Sequence, residues 1–213
     1  MRLALAAARR WTNCRRDVVV MQVHLALSVR PQGQRPLLRL QVPVRRVRAQ
    51  VCAPPYCSLS FCNILRRWLT HVQGVTFGDV GMAYEIYDIP HCTRVRDGAP
   101  VHWTAHPNGC AVRPLAGSVM LWNEGGEFKW TGHVAIVTEV SDTYVRIAEQ
   151  NVEDVSWEGK DYARELAVSV NSDGCYNVRE TWGKKGGSVK GWMNLPHGFT
   201  PEPIPYTIPF ALP

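Results

Sequence analysis

Apolar residues dominate two neighbouring segments in the middle of the chain, which are separated by a short polar step. The first covers residues 133–140, the second begins at Tyr144, and β-branched residues fill both. The step between them is short and polar, with Ser141, Asp142 and Thr143. Strand-forming residues on either side of a polar turn are typical of a β-hairpin. We therefore predict a hairpin whose turn centres on Asp142.

The turn position predicts which residues of the two strands face each other. If partner numbers sum to 284, His133 lies opposite Asn151 and diagonal to Glu149, all on one face. Diagonal partners lie roughly 7–8 Å apart, within reach of a long carboxylate side chain. The hairpin would then hold an imidazole and an acid that orients it, two parts of a nucleophile–base–orienter arrangement. Asn151 would lie where it can help to position a substrate or an oxyanion. The pattern alone leaves open the commoner alternative, an ordinary surface histidine.

Weaker patterns predict the elements around the hairpin. Residues 117–122 indicate a strand, residues 167–178 a strand pair around the Asp-Gly turn at position 173, and residues 191–193 a last strand. Glycine and proline interrupt residues 70–100, which favours loops and short helices there.

The net charge of +6 is unevenly distributed. Residues 1–50 hold eleven arginines, no lysine and a single acid, so they carry +10 and the remaining 163 residues carry about −4. No nucleic-acid-binding motif accompanies the arginines, so we expect no nucleic-acid partner. No apolar run is long enough to span a membrane.

The seven cysteines form no Cys-x-x-Cys pair, which disfavours a zinc ribbon or a redox motif. No convincing secretory signal is present, so free thiols in a reducing, cytoplasmic compartment are expected. The first sixteen residues share an Arg-rich, acid-poor composition with mitochondrial transit peptides, which leaves targeting open. His102 and His106 have the spacing of some zinc ligands, but turn residues follow them directly. We expect no metal and no other cofactor.

The residues around the hairpin also resemble a known family. Gly-His-Val-Ala-Ile-Val at positions 132–137 and Ala-Glu-Gln-Asn at positions 148–151 are similar to CHAP domains, a family of cysteine amidases and peptidases. The similarity is greatest to the amidase half of glutathionylspermidine and trypanothione synthetases and covers roughly residues 66–195. It implies an α+β, papain-like fold with an antiparallel sheet packed on an N-terminal helix. It also implies that His133 is the general base and that Glu149 orients it.

The resemblance implies a substrate and a neighbouring domain. The substrate would be glutathionylspermidine, a glutathione–polyamine conjugate, hydrolysed to glutathione and spermidine. In bifunctional members an ATP-dependent ligase domain lies in the same chain, but no phosphate loop or metal-binding carboxylate set is present here. Cleavage of peptidoglycan cross-bridges is an alternative, and the lack of a secretion signal or wall-binding repeat argues against it.

The family's nucleophilic cysteine is missing from its usual place. In the family it lies at the N-terminus of a helix, five residues before an Arg-Arg-Trp sequence, where the helix stabilises a thiolate. Counting back from Arg66, that position holds Phe61. Cys62 is displaced by one residue, about 100° round a helix, and is either a shifted nucleophile or a small buried hydrophobe. Arg66 is a candidate substrate-binding residue.

A shift of reading frame would explain the missing cysteine. The family's nucleophile segment is roughly Tyr-Tyr-Gly-Phe-Lys-Tyr-Gln-Cys-Val-Glu-Phe-Ala-Arg. Codons allowed for residues 37–50 encode this whole segment when the frame is moved forward by one base. We hypothesise that the head of the chain is an out-of-frame translation of the catalytic segment. The alternative is a genuine, unrelated extension.

These observations divide the chain into three parts. Residues 1–62 are an Arg-rich head that we expect not to be natively folded, and residues 63–195 are an amidase domain that is incomplete at its N-terminus. Residues 196–213 contain six prolines, which is typical of a linker. The expected function is cysteine-dependent hydrolysis of the glutathione–spermidine amide bond. The alternative is a catalytically inactive remnant that binds polyamine conjugates.

Overall fold

The computed structural model describes residues 63–152, 160–182 and 187–205, together with the backbone of two short strands in the head. Phe61 and Cys62 lie outside the described residues, as do the rest of the head apart from these two strands and the end of the tail. In the described ranges, no helix combines the length and the apolar character needed to cross a membrane.

Strands dominate the described elements. The helical elements are short and comprise one α-helix, a π-helical turn that continues it, and two 3-10 turns. They are α1 (Asn63–Trp68), the π-helical turn Leu69–Gln73, and the 3-10 turns Ala83–Asp88 and Gly126–Phe128. The strands are β1 (Val20–Met21), β2 (Val44–Arg45), β3 (Val75–Thr76), β4 (His91–Arg94), β5 (Pro100–His102), β6 (Thr104–Pro107), β7 (Val119–Trp122), β8 (His133–Val140), β9 (Tyr144–Ala148), β10 (Arg164–Val170), β11 (Tyr176–Arg179) and β12 (Val189–Asn194).

A seven-stranded antiparallel sheet forms the centre of the fold, with the strand order β11-β10-β9-β8-β7-β12-β6. The predicted hairpin is its middle pair, and the predicted strands near residues 117–122, 167–178 and 191–193 are all present. β12 returns to lie between β7 and β6, which pairs the last strand with two earlier ones. A smaller sheet of β3, β4 and β5 replaces part of the loop expected over residues 70–100.

The register of the central hairpin changes by one residue along its length. Near the turn, Val140 pairs with Val145, one residue away from the predicted register. A β-bulge at Thr138 removes this offset, so Val137 pairs with Ile147 as predicted. Because a slip of one residue moves every side chain to the other face, the bulge decides which side chains meet at the far end.

Two hydrophobic clusters cover the two faces of the sheet. The first contains the apolar side of α1 and its π-helical continuation, packed on even-numbered residues of β8 such as Val134 and Ile136. The second contains the odd-numbered residues Ala135 and Val137 together with Trp122. β8 is therefore buried on both faces. This arrangement confirms the predicted α+β fold, in which an antiparallel sheet packs on a helix.

The hairpin turn around Gly174 is longer than expected. The Asp-Gly pair predicted a two-residue turn, whereas β10 ends at Val170 and β11 begins at Tyr176. The side-chain oxygen of Asn171 accepts hydrogen bonds from the backbone N–H groups of Asp173 and Cys175. In this Asx-type turn the Asn171 side chain thus satisfies backbone N–H groups of the extra residues.

The proline-rich tail packs on the helical segment in its described part, up to residue 205. The backbone N–H of Glu202 donates to the carbonyl of Gln73, and its carboxylate pairs with Arg96 at 3.3 Å. The Nδ1 atom of His71 lies 3.0 Å from the carbonyl oxygen of Ile204. Proline carbonyls and neighbouring carbonyls still accept hydrogen bonds, so a proline-rich segment can dock on a surface without being part of a sheet.

Gly132 allows β8 to begin next to the end of β7. Its φ of +61° is in the left-handed region, and a Cβ atom there would lie 2.6 Å from the carbonyl oxygen of Trp122. Trp122 is the cross-strand partner of His133. Only glycine meets both requirements at this position.

We expect Gly132→Ala to lower the free energy of unfolding by more than Gly174→Ala, the matched control. Gly174 has a φ of +76° but no atom within 4 Å of an added Cβ, so it reports backbone strain alone. That strain costs on the order of 1 kcal/mol, and the overlap at Gly132 should roughly double or triple the loss. Urea denaturation of both variants measures this. Equal losses would contradict the close approach.

Candidate active site

His133 is the first residue of β8 and is only 4% exposed. Its Nε2 atom lies 2.7 Å from Oε2 of Glu149, one residue beyond the end of β9. A carboxylate can only accept a hydrogen bond, so Nε2 donates and the neutral ring has its lone pair on Nδ1. The structure thus brings together the two residues that the hairpin was expected to bring together. Nδ1 is the atom that could take a proton from a nucleophile.

Glu149 is held from its other side by Arg164, the first residue of β10. The Nε atom of Arg164 donates to Oε1 of Glu149, and its Nη2 atom donates to Oε2 at 2.9 Å. The third nitrogen, Nη1, donates to Oε1 of Glu180 at 2.6 Å. A guanidinium group has a planar fork of donors that matches a carboxylate with two parallel bonds. His133, Glu149, Arg164 and Glu180 therefore form one continuous polar chain.

Glu180 is fixed by the backbone as well as by Arg164. Its Oε1 atom accepts the N–H groups of Thr181 and Trp182 at 2.7 Å and 2.6 Å. The side chain is fully buried. Its Oε2 atom has no hydrogen-bond partner among the described residues.

Aromatic rings close the other side of this polar chain. The Phe128 ring stacks on the His133 imidazole, with centroids 4.6 Å apart and planes 7° apart. The Trp182 ring stacks on Phe128 with centroids 5.5 Å apart, and the Arg164 guanidinium lies 5.8 Å from the centroid of the Trp182 ring. The polar chain and the aromatic stack together fix the plane of the imidazole and exclude water from it.

The charge partners of Glu149 outweigh the effect of its burial. Burial alone would raise the pKa of this carboxyl group, because water no longer solvates the anion. Hydrogen bonds and charge from His133 and Arg164 act in the opposite direction and lower the pKa of Glu149 below its ordinary value. The carboxylate is therefore the stable form at neutral pH, as an orienting acceptor requires.

Of the remaining predicted site residues, the structure describes Asn151 and Arg66. Asn151 is exposed and has a φ of +65°, beyond the end of β9. The guanidinium group of Arg66 donates to the carbonyls of Phe77 and Gly78 and pairs with Asp79, so it ties α1 to the next loop. Cys62 lies outside the described residues.

A metal site is not apparent in the described ranges, where no group of three or more potential ligands is close enough to hold an ion. His102 and His106 lie on β5 and β6, which belong to different sheets. Their helix-like spacing in the sequence therefore has no helical counterpart.

Sequence reasoning missed Arg164 and Glu180. The signal that could have found them is alternation, because Leu166, Val168 and Val178 are buried in the second cluster. Residues of the same parity on β10 and after β11 project to the same face as Glu149. The order of the strands in the sheet was the missing information.

A comparison with known protein families finds one that matches the part of the chain containing His133 and Glu149. Residues 57–151 match the family model of the CHAP domain. The match contains His133, Glu149 and Asn151 and begins nine residues before Arg66. These residues are therefore similar to CHAP domains, and the α+β fold described above agrees with that similarity.

The curated proteins that are similar to this chain are glutathionylspermidine and trypanothione synthetases. The bifunctional glutathionylspermidine synthetase/amidase of Escherichia coli (strain K12) is 42% identical over 129 residues, which cover 60% of this chain and 20% of that protein. Glutathionylspermidine synthase of Crithidia fasciculata is 33% identical over 134 residues, covering 60% of this chain and 18% of that protein. Trypanothione synthetase of the same organism is 26% identical over 144 residues, covering 66% and 22%.

This chain spans about a fifth of the length of the curated relatives it matches. The predicted resemblance to the glutathionylspermidine and trypanothione synthetases is confirmed. The matches support a hydrolase of the amidase type for the domain. The relative from Escherichia coli is described as bifunctional.

We expect the Glu149→Gln substitution to lower stability in a pH-dependent way. The folded-state pKa of Glu149 is below its ordinary value of about 4.5, so its ionised form stabilises the fold above that pH. This stabilisation is lost as the pH falls through the lower, folded-state value. The difference in free energy of unfolding between wild type and Glu149→Gln should therefore shrink below about pH 4.5.

Urea denaturation across a pH series measures this difference. Glu165→Gln is the matched control, because that carboxylate pairs with Arg146 but is 44% exposed, and we expect a small effect there. A wild-type advantage over Glu149→Gln that stays constant into acid would contradict the ionised, charge-matched state.

Proposed function

We propose that this domain is the framework of a cysteine amidase that hydrolyses the amide bond between glutathione and spermidine. The observation that carries the proposal is the buried hydrogen bond between His133 and Glu149. It lies in a chain that is similar to a glutathionylspermidine synthetase/amidase. An oriented imidazole beside a buried carboxylate is the arrangement that activates a cysteine nucleophile.

The chemistry would proceed in two stages. His133 accepts the thiol proton at Nδ1, and the thiolate attacks the carbonyl carbon of the amide bond. The imidazolium then gives its proton to the departing amine of spermidine, and the glutathionyl group stays on sulfur as a thioester. Water, deprotonated by His133, attacks the thioester carbonyl carbon, the C–S bond breaks to release glutathione, and the imidazolium returns the proton to the cysteine sulfur. Glu149 holds the tautomer throughout and stabilises the positive charge on the ring.

This sequence has no cysteine at the position that the resemblance predicts for the nucleophile, five residues before Arg66. The shifted-frame segment ends in Cys-Val-Glu-Phe-Ala-Arg, so its cysteine lies five residues before its last arginine. If that arginine takes the place of Arg66, the cysteine occupies the position of Phe61. We infer that the shifted frame encodes the functional nucleophile segment up to the position of Arg66, and that residues 67–195 supply the rest of the domain.

A frame-restored variant tests this inference. It replaces residues 37–66 with the thirteen-residue segment, and its matched control carries serine in place of that cysteine. We expect the restored variant to release spermidine from glutathionylspermidine and the serine control to release none, because a hydroxyl group is a far weaker nucleophile than a thiolate. Chromatographic detection of spermidine measures the reaction, and a peptidoglycan cross-bridge peptide serves as the alternative substrate.

The unaltered chain and its Cys62→Ala variant are assayed beside the frame-restored variant and its serine control. Hydrolysis by the unaltered chain that disappears in Cys62→Ala would assign the nucleophile to Cys62 and contradict the frame shift. Failure of both the restored and the unaltered chains to release spermidine would contradict the amidase proposal. Phe61 at the nucleophile position favours, for the unaltered chain, the second candidate function, an inactive domain that binds the conjugate. Calorimetric titration with glutathionylspermidine tests that function.

The roles of the two site residues are tested in the active variant. We expect His133→Ala to reduce kcat/KM by about 10²–10⁴-fold, the usual contribution of a general base. Glu149→Gln should reduce it by a smaller factor, because the amide oxygen still accepts the bond but no longer stabilises the imidazolium charge. His102→Ala, a histidine exposed on β5, is the control and should leave the rate unchanged. Full activity in His133→Ala would exclude its role as the base.

A further inference from the structure

Arg164 and Glu180 form a largely buried ion pair next to Glu149. Arg164 reaches both oxygens of Glu149 and one oxygen of Glu180. Burial would lower the pKa of its guanidinium group, but the bonds to the two carboxylates raise it. A permanent cation of this kind has a cost in desolvation that only its two carboxylate partners offset.

The geometry gives this pair a directional effect on His133. Because Arg164 binds both oxygens of Glu149, the plane of that carboxylate cannot turn, and Oε2 stays aimed at Nε2 of the ring. Arg164 is itself kept in place by Glu180, whose Oε1 atom is bonded to two backbone N–H groups. The orientation of the imidazole thus depends on the backbone that follows β11, through the three intervening side chains of Glu149, Arg164 and Glu180.

We propose that Arg164 and Glu180 are positioning residues for the pair His133–Glu149, and that their opposite charges set how strongly Glu149 attracts a proton to the imidazole. This proposal rests on the proposed function, in which His133 is the base. Arg164 withdraws negative charge from Glu149, and Glu180 partly returns it by neutralising Arg164.

The surroundings of His133 leave little else that could produce such an effect. Among the described residues, the imidazole ring contacts Glu149 at its edge, Phe128 on one face and Trp122 of β7. Trp182 lies beyond Phe128. In the part of the chain that the structure describes, Glu149 is the charged group in contact with the ring, and Arg164 and Glu180 act on the ring through Glu149.

The test compares Arg164→Gln with Glu180→Gln in the full chain by NMR of the imidazole nitrogens. The His133 signals are identified by their loss in His133→Ala. Removing the cation leaves Glu149 fully negative, so the ring should take up its proton at a higher pH, by on the order of one pH unit. Removing the outer carboxylate should move proton uptake to a lower pH. Opposite shifts are the expected result, because a merely structural role would not reverse sign.

Three further variants make the outcome decisive. Arg146→Gln, an arginine of β9 paired with Glu139 and Glu165, is the control and should leave the ring unchanged. Arg164→Lys keeps the charge if Arg164→Gln fails to fold, and it should keep proton uptake within a few tenths of a pH unit of wild type. Its single ammonium group lacks the planar fork, so kcat of the active variant should fall while KM stays the same. Glu180→Asp keeps the outer negative charge on a shorter side chain. It replaces Glu180→Gln if that variant fails to fold, and it should likewise keep proton uptake close to that of wild type.

Shifts in the same direction, or none, in folded Arg164→Gln and Glu180→Gln would overturn the proposal. Unchanged kcat in Arg164→Lys would overturn its positioning part. The titration of the ring requires no turnover, so it gives its answer even if no variant hydrolyses glutathionylspermidine. That second result would instead contradict the amidase function.

Discussion

A buried carboxylate remains an anion only where other groups match its charge, and Glu149 meets this condition between His133 and Arg164. The desolvation cost of such a group amounts to several kcal/mol when it is left unpaired. The ends of β8, β9 and β10 must therefore converge on one point, and the stack of Phe128 and Trp182 fits around it. Much of the architecture at this end of the sheet satisfies this single electrostatic requirement.

The central hairpin could be predicted from the sequence because β-branched runs on both sides of a polar turn allow one antiparallel pairing. Its register could be predicted only in part. Next to the turn the true pairing differs by one residue, and the bulge at Thr138 restores the expected pairing before His133. Without the bulge, Glu149 would project from the opposite face. A bulge depends on packing against neighbouring strands, and local sequence patterns do not contain that information.

The rest of the site was beyond prediction for two different physical reasons. Arg164 and Glu180 reach Glu149 because β10 and β11 add to the sheet in sequence order, and such long-range pairing is not encoded locally. If the proposed frame shift is correct, the nucleophile depends on the reading frame rather than on folding, and no pattern in residues 51–62 could reveal it. The family resemblance supplied the expected roles of His133 and Glu149, while the strand geometry brings the two side chains together.

The docked tail changes where this folding unit ends. Composition places the boundary before Pro196, yet the backbone of Glu202 caps the carbonyl of Gln73, and Ile204 meets His71. A recombinant chain cut at residue 195 would leave the last turn of the helical segment without these partners. That segment continues directly from α1, so the tail contacts the C-terminal end of a helical stretch whose N-terminal end follows Phe61 in the sequence. Trimming should therefore begin after Ile204.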